Sequence, residues 1–293
     1  MTRPLLVCGN ANLETVLGLE GEFLPVQGDA VTDRLSVNVS GVGVNLVRGL
    51  SRLGSPVRFV TLLGNDVAGR TVRQELDGIE WHAMPVRATA QTLALVRPDG
   101  RHTFYRDIKG NEQADTPVAA FRAALPGCGA ALLTNIGWTR DLLPVARAAG
   151  VPIQTDVHEI SSVDAPYDQP YLDAADVLLF SAARLTDPAG FLLALRECCR
   201  AHVIIAGLGE GGALLLERGA DRVHHQPAFR VVATHRGGAG DALAAAFAHF
   251  LFTRGHDPRE ALRLACAAAA LKLRGKGSGE GHATEAEVRA LAG

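Results

Sequence analysis

Gly237-Gly238-Ala239-Gly240-Asp241 runs without a break into Ala242-Leu243-Ala244-Ala245-Ala246-Phe247, and this junction decides how the chain is read. Glycines on both sides of Ala239 let the backbone turn tightly with its N–H groups aimed one way. The apolar run that follows begins a helix, whose first amides and positive dipole end face the same space. Such a pocket stabilises an anion, phosphate above all. Asp241 then stands where a carboxylate can take a proton from an attacking hydroxyl, so the five residues read as half of a phosphoryl-transfer site.

Outward from that junction, short apolar runs alternate with helical spacing. Leu5–Cys8, Val57–Leu63, Ala131–Thr134, Val151–Thr155, Val177–Phe180 and Val203–Ala206 read as buried strands. Asn45–Leu53, Val67–Leu76, Pro117–Ala124, Arg140–Ala149 and Pro188–Cys199 read as helices between them. Repeated β-α alternation predicts an α/β fold, a mostly parallel sheet covered on both faces. Near the C-terminus Asp257, Pro258 and Glu260 mark a helix start. Two stretches break the alternation. Ala30–Ser40 alternates polar and apolar residues, and Thr92–Tyr105 reads as a hairpin turning at Pro98-Asp99-Gly100. A small β-sheet projecting as a lid accounts for both, spanning about 13–39 and 88–107 of one domain that covers 1–293.

The formal net charge of −2 over 293 residues supplies no basic field for nucleic acid or anionic membrane. No apolar run approaches membrane-spanning length, and Leu5-Leu6-Val7-Cys8 is too short for a secretory h-region. Cys8, Cys128, Cys198, Cys199 and Cys266 lack paired metal-ligand spacing. They read as reduced core thiols of a soluble, cytoplasmic protein.

Six segments, in order, resemble the ribokinase-like (PfkB) carbohydrate kinase family, over nearly the whole length. Gly9-Asn10-Ala11-Asn12-Leu13-Glu14 is similar to its sugar-contacting loop, and Ser40-Gly41-Val42-Gly43-Val44-Asn45 to its glycine-rich substrate loop. Gly64-Asn65-Asp66-Val67-Ala68-Gly69 resembles its G-x-D-x-x-G turn, and Asp99–Phe104 its lid hairpin. Ala206–Ala213 is similar to its nucleotide loop, and Gly238-Ala239-Gly240-Asp241 to its anion hole and base. The resemblance implies a three-layer α/β/α sandwich with a β-lid. It also implies transfer of the ATP γ-phosphoryl group, with Mg²⁺, to a hydroxyl of a sugar or sugar-like substrate such as a nucleoside. Asp241 would be the base, and Gly238, Ala239 and Gly240 the anion hole. Asn12, Glu14, Gly41, Gly43 and Asn45 would hold the substrate. Gly207, Gly209, Gly212, Arg236, Lys276 and Gly277 would hold the nucleotide. Lids of this kind pair edge to edge, so a homodimer through the lid is the expected assembly.

The departures matter equally. His235-Arg236-Gly237 replaces the family's Asp-Thr-Thr, and Gly281 stands where a Ser would complete a monovalent-cation site. The resemblance therefore implies that this cation site is absent, with Arg236 or His235 supplying positive charge. Ser181 and Arg184 replace the Asn and Glu that help place Mg²⁺ and phosphates, leaving the metal ligands unknown. Arg184 would either contact a phosphate directly or signal impaired metal handling. Val42 replaces a Lys in the substrate loop, pointing to a less polar or unusual substrate. Trp138 reads as a core residue or as an aromatic wall to the site. These changes keep a second function open, a catalytically weak sensor of sugars or nucleotides. A nicotinamide enzyme is remote, because Leu46 stands where the Gly41-Val42-Gly43 fingerprint needs its third glycine. His224-His225 reads as an exposed strand without a third metal ligand. Arg97, Arg101 and Arg106 read as surface charge on an edge hairpin.

Overall fold

The computed structural model describes residues 2–21, 32–98, 101–233, 237–275, 277 and 279–293. The turn at Asp99-Gly100 and the positions of His235, Arg236 and Lys276 lie outside the described residues. The N-terminal half runs β1 (Leu5–Cys8), β2 (Asn12–Gly18), β3 (Leu35–Ser40), α1 (Val42–Arg52), β4 (Val57–Gly64), α2 (Val67–Glu75), β5 (Glu80–Val86), β6 (Gln91–Val96) and β7 (His102–Asp107). It continues through α3 (Val118–Ala124), β8 (Ala130–Leu133), α4 (Leu143–Ala148), β9 (Ile153–Glu159), α5 (Gln169–Ala174), β10 (Val177–Ser181), α6 (Pro188–Cys198) and β11 (Val203–Gly207). The chain closes with β12 (Ala213–Glu217), β13 (His224–Gln226), α7 (Ala239–Ala248), α8 (Pro258–Lys272) and α9 (Glu285–Ala292).

Nine strands form the main sheet in the order β13-β12-β11-β10-β9-β8-β1-β4-β5. All neighbours are parallel except β11–β12 and β12–β13. Successive side chains of a strand point to opposite faces, and the two cores divide accordingly. Leu5 and Val7 pack with α1, α7 and α8, whereas Leu6 and Cys8 pack with α3, α4, α5 and α6. That partition is the three-layer sandwich. Each fully buried Leu or Phe contributes about 1.5–3 kcal/mol to holding a layer on the sheet. A separate sheet, β3-β2-β6-β7, pairs β2 with β6 in parallel and the other neighbours antiparallel.

Several boundaries differ from the sequence reading for local reasons. β9 begins two residues later than expected and runs on to Glu159, because its polar tail Asp156–Glu159 lacks the apolar signature of a buried strand. The expected helix 140–149 is a 3₁₀ turn, Gly137–Leu142, followed by α4 with Pro144 in its first turn. Strand β5 was not expected; it is an exposed edge that carries Pro85, as edge strands can. His224 and His225 do lie on an edge strand, β13. Asp257 caps α8 as read, its carboxylate accepting from the Arg259 and Glu260 amides.

Candidate active site

In open α/β sheets ligands bind beyond the carboxyl ends of the parallel strands. Here that edge gathers the loop after β1, the tail of β9, the end of β11 and the N-termini of α1 and α7. The two helices are pressed together: a methyl group placed on Gly49 of α1 would lie 2.7 Å from the Ala245 Cβ of α7. Gly238 caps α7 in the left-handed region at φ 79°, which a residue with a Cβ rarely adopts. Gly240, in the first turn, has open space where a side chain would project. A helix dipole with room above its first turn would suit an anion.

Asp241 lies in that first turn, partly buried. Asn45, in the second turn of α1 and almost fully buried, donates from Nδ2 to Asp241 Oδ2 at 2.6 Å. Burial pushes the Asp241 carboxyl up to about 6, and the charge of Asp156 adds to the rise. The Asn45 hydrogen bond, His158 and Lys272 oppose it. A carboxylate poised near neutrality suits a general base. Asp156 Oδ1 also accepts from the His158 amide at 2.8 Å, holding the β9 tail where His158 takes a positive φ of 59°.

The small sheet starts from this edge, β2 following β1 after three residues. Its register places Asn38, Glu14, Thr92 and Arg106 in one cross-strand row. Asn12 and Glu14 are 8% and 4% exposed, so the face they share is turned inward. Asn12 Nδ2 donates to Thr92 Oγ1 at 3.1 Å, tying β2 to β6. Gly41 and Gly43 sit at the start of α1 in close quarters. A methyl on Gly41 would lie 2.5 Å from both Asn10 O and Asn12 Oδ1, and one on Gly43 2.7 Å from the Gly9 carbonyl carbon.

Residues 156–285, which contain the β9 tail, the turn after β11, the start of α7 and Asp241, match the pfkB family carbohydrate kinases. An acarbose 7(IV)-phosphotransferase from Actinoplanes sp. is 29% identical to the chain, over 83% of each protein. Over residues 156–285 and in its kinase relatives, the chain is similar to the pfkB family of carbohydrate kinases. A ribokinase from Arabidopsis thaliana is also 29% identical, over 90% of this chain and 74% of its own. Its structure, solved with ribose and ATP, superposes with a TM-score of 0.82 at 23% identity, covering 100% of this chain and 99% of that one. The fold of a microbiome-derived acarbose kinase matches with a TM-score of 0.92 at 21% identity, over 100% and 99% of the two chains.

In this chain the remaining expected residues fall at the same edge or just beyond it. Gly207 ends β11, and Gly209 to Gly212 form the hairpin turn into β12. Gly209 faces open space, while a methyl on Gly212 would strike Gln226 O at 2.1 Å. Gly277 is buried and accepts from Lys272. Arg184 is 68% exposed and its Nε pairs with Glu159 Oε2 at 2.6 Å, so its guanidinium already has a carboxylate partner. Trp138 is a core residue, 3% exposed, whose Nε1 donates to Asn10 Oδ1 at 3.2 Å and steadies the loop after β1. All five cysteines are free; Cys198, the last residue of α6, is exposed rather than core, and the other four are buried. No helix among the described residues is long and apolar enough to cross a membrane.

Sequence reasoning missed Lys272, in the last turn of α8. It is fully buried, and its Nζ donates to Gly277 O at 2.8 Å and Gly237 O at 3.2 Å. The signal was present: one lysine in the run Ala267-Ala268-Ala269-Ala270-Leu271-Lys272-Leu273.

Proposed function

We propose that this protein transfers the γ-phosphoryl group of ATP to a hydroxyl of a sugar or sugar-like substrate, with Asp241 as base. The observation that carries the reading is the Asp241 carboxylate at the mouth of the Gly238–Gly240 cradle, oriented by Asn45 and raised to about 6 by burial. Asp241 takes the proton as the acceptor hydroxyl attacks. The amides of Gly238, Ala239 and Gly240 meet charge that develops on the phosphoryl oxygens. The nucleotide would lie along Gly207–Gly212, and the open space at Gly209 and Gly240 leaves room for its phosphates.

Among the described residues no cluster of three or more His, Cys, Asp or Glu could hold a metal ion unaided. That fits Mg²⁺, which is commonly held by substrate phosphates and only one or two carboxylates. Asp156, already close enough to raise Asp241, would face it. Bound with ATP, Mg²⁺ would neutralise charge on the phosphates. Asn12, Glu14 and Thr92 would hold the sugar's other hydroxyls from the lid, together with Asn45 of α1, and the closed lid would exclude water. The outward lid face carries Val37, Leu93 and Tyr105 in one register row, 57%, 37% and 59% exposed. Pairing of two lids over that row is the proposed dimer, and sedimentation of Tyr105→Glu as a monomer beside a dimeric wild type would support it.

The test is ADP release from MgATP against acarbose, maltose, ribose and nucleosides, with Asp241→Asn in parallel. Turnover in the wild type that is lost in the variant supports the reading. Nucleotide binding without turnover on any acceptor would replace it with a sensor.

A further inference from the structure

Lys272 is a charged side chain buried with no exposed surface at the end of a helix made largely of alanine and leucine. Burying an ammonium is costly unless its protons are satisfied, so a buried lysine needs a reason. Its Nζ donates to backbone carbonyls of two glycine loops beside the proposed site. Gly237 directly precedes the left-handed Gly238 that opens α7, and Gly277 belongs to the C-terminal loop Gly275–Gly281. We propose that the Lys272 ammonium is a fixed internal cation of the phosphoryl-transfer site, a positioning residue that ties these two loops together and sets the direction of the anion-hole amides. The inference rests on the reading of Gly238–Gly240 and Asp241 given above.

The peptide group explains how a side chain on one helix orients amides on another. A trans peptide is planar, and its C=O and N–H point in opposite directions. Holding the Gly237 carbonyl towards Lys272 therefore turns the Gly238 N–H to the opposite side. Described residues of the C-terminal segment close on the same ammonium. The Gly275 amide donates to the Lys272 carbonyl at 3.0 Å, and a methyl on Gly281 would lie 2.7 Å from the Gly275 Cα. Gly275 and Gly281 approach closely, and the Gly277 carbonyl faces the ammonium.

Charges around the ammonium come from every element packed on it. Asp241 on α7, Glu280 in the loop and Glu14 on β2 favour its protonated form, against burial, which lowers it to about 8. His282, with Arg48 of α1 beyond, is kept neutral in part by Lys272. At neutral pH the group is thus mainly charged, and it loses its proton as pH rises through about 8.

The experiment compares binding of Mg·ADP with binding of Mg·ADP plus aluminium fluoride, a planar anion that occupies the place of the phosphoryl group. It needs no knowledge of the sugar. Wild type, Lys272→Ala and Lys272→Met are titrated by calorimetry from pH 6.5 to 9.5, with circular dichroism confirming the folded state. The expected result is that both variants keep Mg·ADP affinity within about threefold yet lose at least tenfold on the fluoride complex. The wild type alone should show an alkaline limb near pH 8. Ammonium chloride should restore Lys272→Ala, while tetramethylammonium at equal ionic strength, too large for the space vacated, should not. Folded variants that bind both complexes like the wild type, or lose both equally without rescue by ammonium, overturn the proposal. A wild type that fails to bind Mg·ADP overturns it together with the kinase reading. Fluoride binding with no sugar turnover removes the kinase reading alone.

Discussion

The N-termini of α1 and α7 begin alike in sequence, Gly41-Val42-Gly43 and Gly238-Ala239-Gly240, and are used in opposite ways. Both helices start at a glycine of positive φ, 106° and 79°. The first is closed. Backbone from the β1 loop presses against Gly41 and Gly43 so tightly that neither position accepts a methyl group. The second is open, with nothing near the position a Gly240 side chain would take. One glycine motif is a packing joint that brings Asn45 to its target, and the other leaves open the space proposed for an anion. Glycine spacing before a helix says only that backbone comes close to something, and tertiary structure says whether that something is protein or ligand.

The comparison can be tested by treating the two ends differently. The largest effect belongs to the base at the open end. Asp241→Asn should lower kcat by about 10³-fold, as removal of a general base does, with little change in nucleotide affinity. With Asp241 as the proposed base, its ionised form would be the active one, so kcat/KM should climb as pH rises through about 6. Replacing Asn45 by Leu, which deletes the hydrogen bond that favours the ionised carboxylate, should move that limb to higher pH. A limb that stays in place would break the link between the closed end and the open one.

The next effect lies at the far end of α7. His249 is fully buried; its Nδ1 meets Ser55 Oγ at 2.7 Å, and burial lowers its pKa to about 4. The neutral ring is favoured in the fold and the unfolded chain binds the extra proton, so stability is full above about 6.5 and lost as pH falls towards 4. Chemical denaturation at pH 7 and pH 4.5 should show the wild type losing up to about 3 kcal/mol more than His249→Gln. Equal losses would mean that His249 does not hold the helix that carries Asp241.

Smaller effects separate the two glycine pairs. Gly43→Ala should cost about 2 kcal/mol of stability, since the added methyl meets backbone rather than a side chain that can swing aside. Gly240→Ala should leave the fold as stable or slightly more so, because alanine favours a helix, yet reduce kcat about tenfold by crowding the cradle. Denaturation midpoints and steady-state kinetics on the same two proteins check both. Reversal of the pattern would mean that the open and closed ends have been exchanged.

Much of the fold and part of the site are legible in the order of residues alone. The β-α alternation predicts the parallel sheet because strands buried on both faces read as unbroken apolar runs. Six short motifs point to the family because a loop that must approach a ligand has few residue choices. What escapes has physical reasons. Strand β5 and the tail of β9 are half exposed, so their hydrophobic pattern is diluted. The Arg184 partner, Glu159, lies 25 residues away along the chain and meets it only because β9 and β10 are neighbours. Lys272 reads as one more lysine near a helix end, where such residues usually reach into water.

By itself, then, the sequence determined most of the elements, their order, and where a carboxylate follows a glycine turn, since each follows from residues close together in the chain. Only the tertiary structure decided that Asn45, 196 residues from Asp241, is the group that orients it. It also decided that one glycine turn is filled and the other open, and that Lys272 is buried beside the second. Those facts depend on which surfaces helix and sheet packing bring into contact, and no local pattern in the chain encodes that contact.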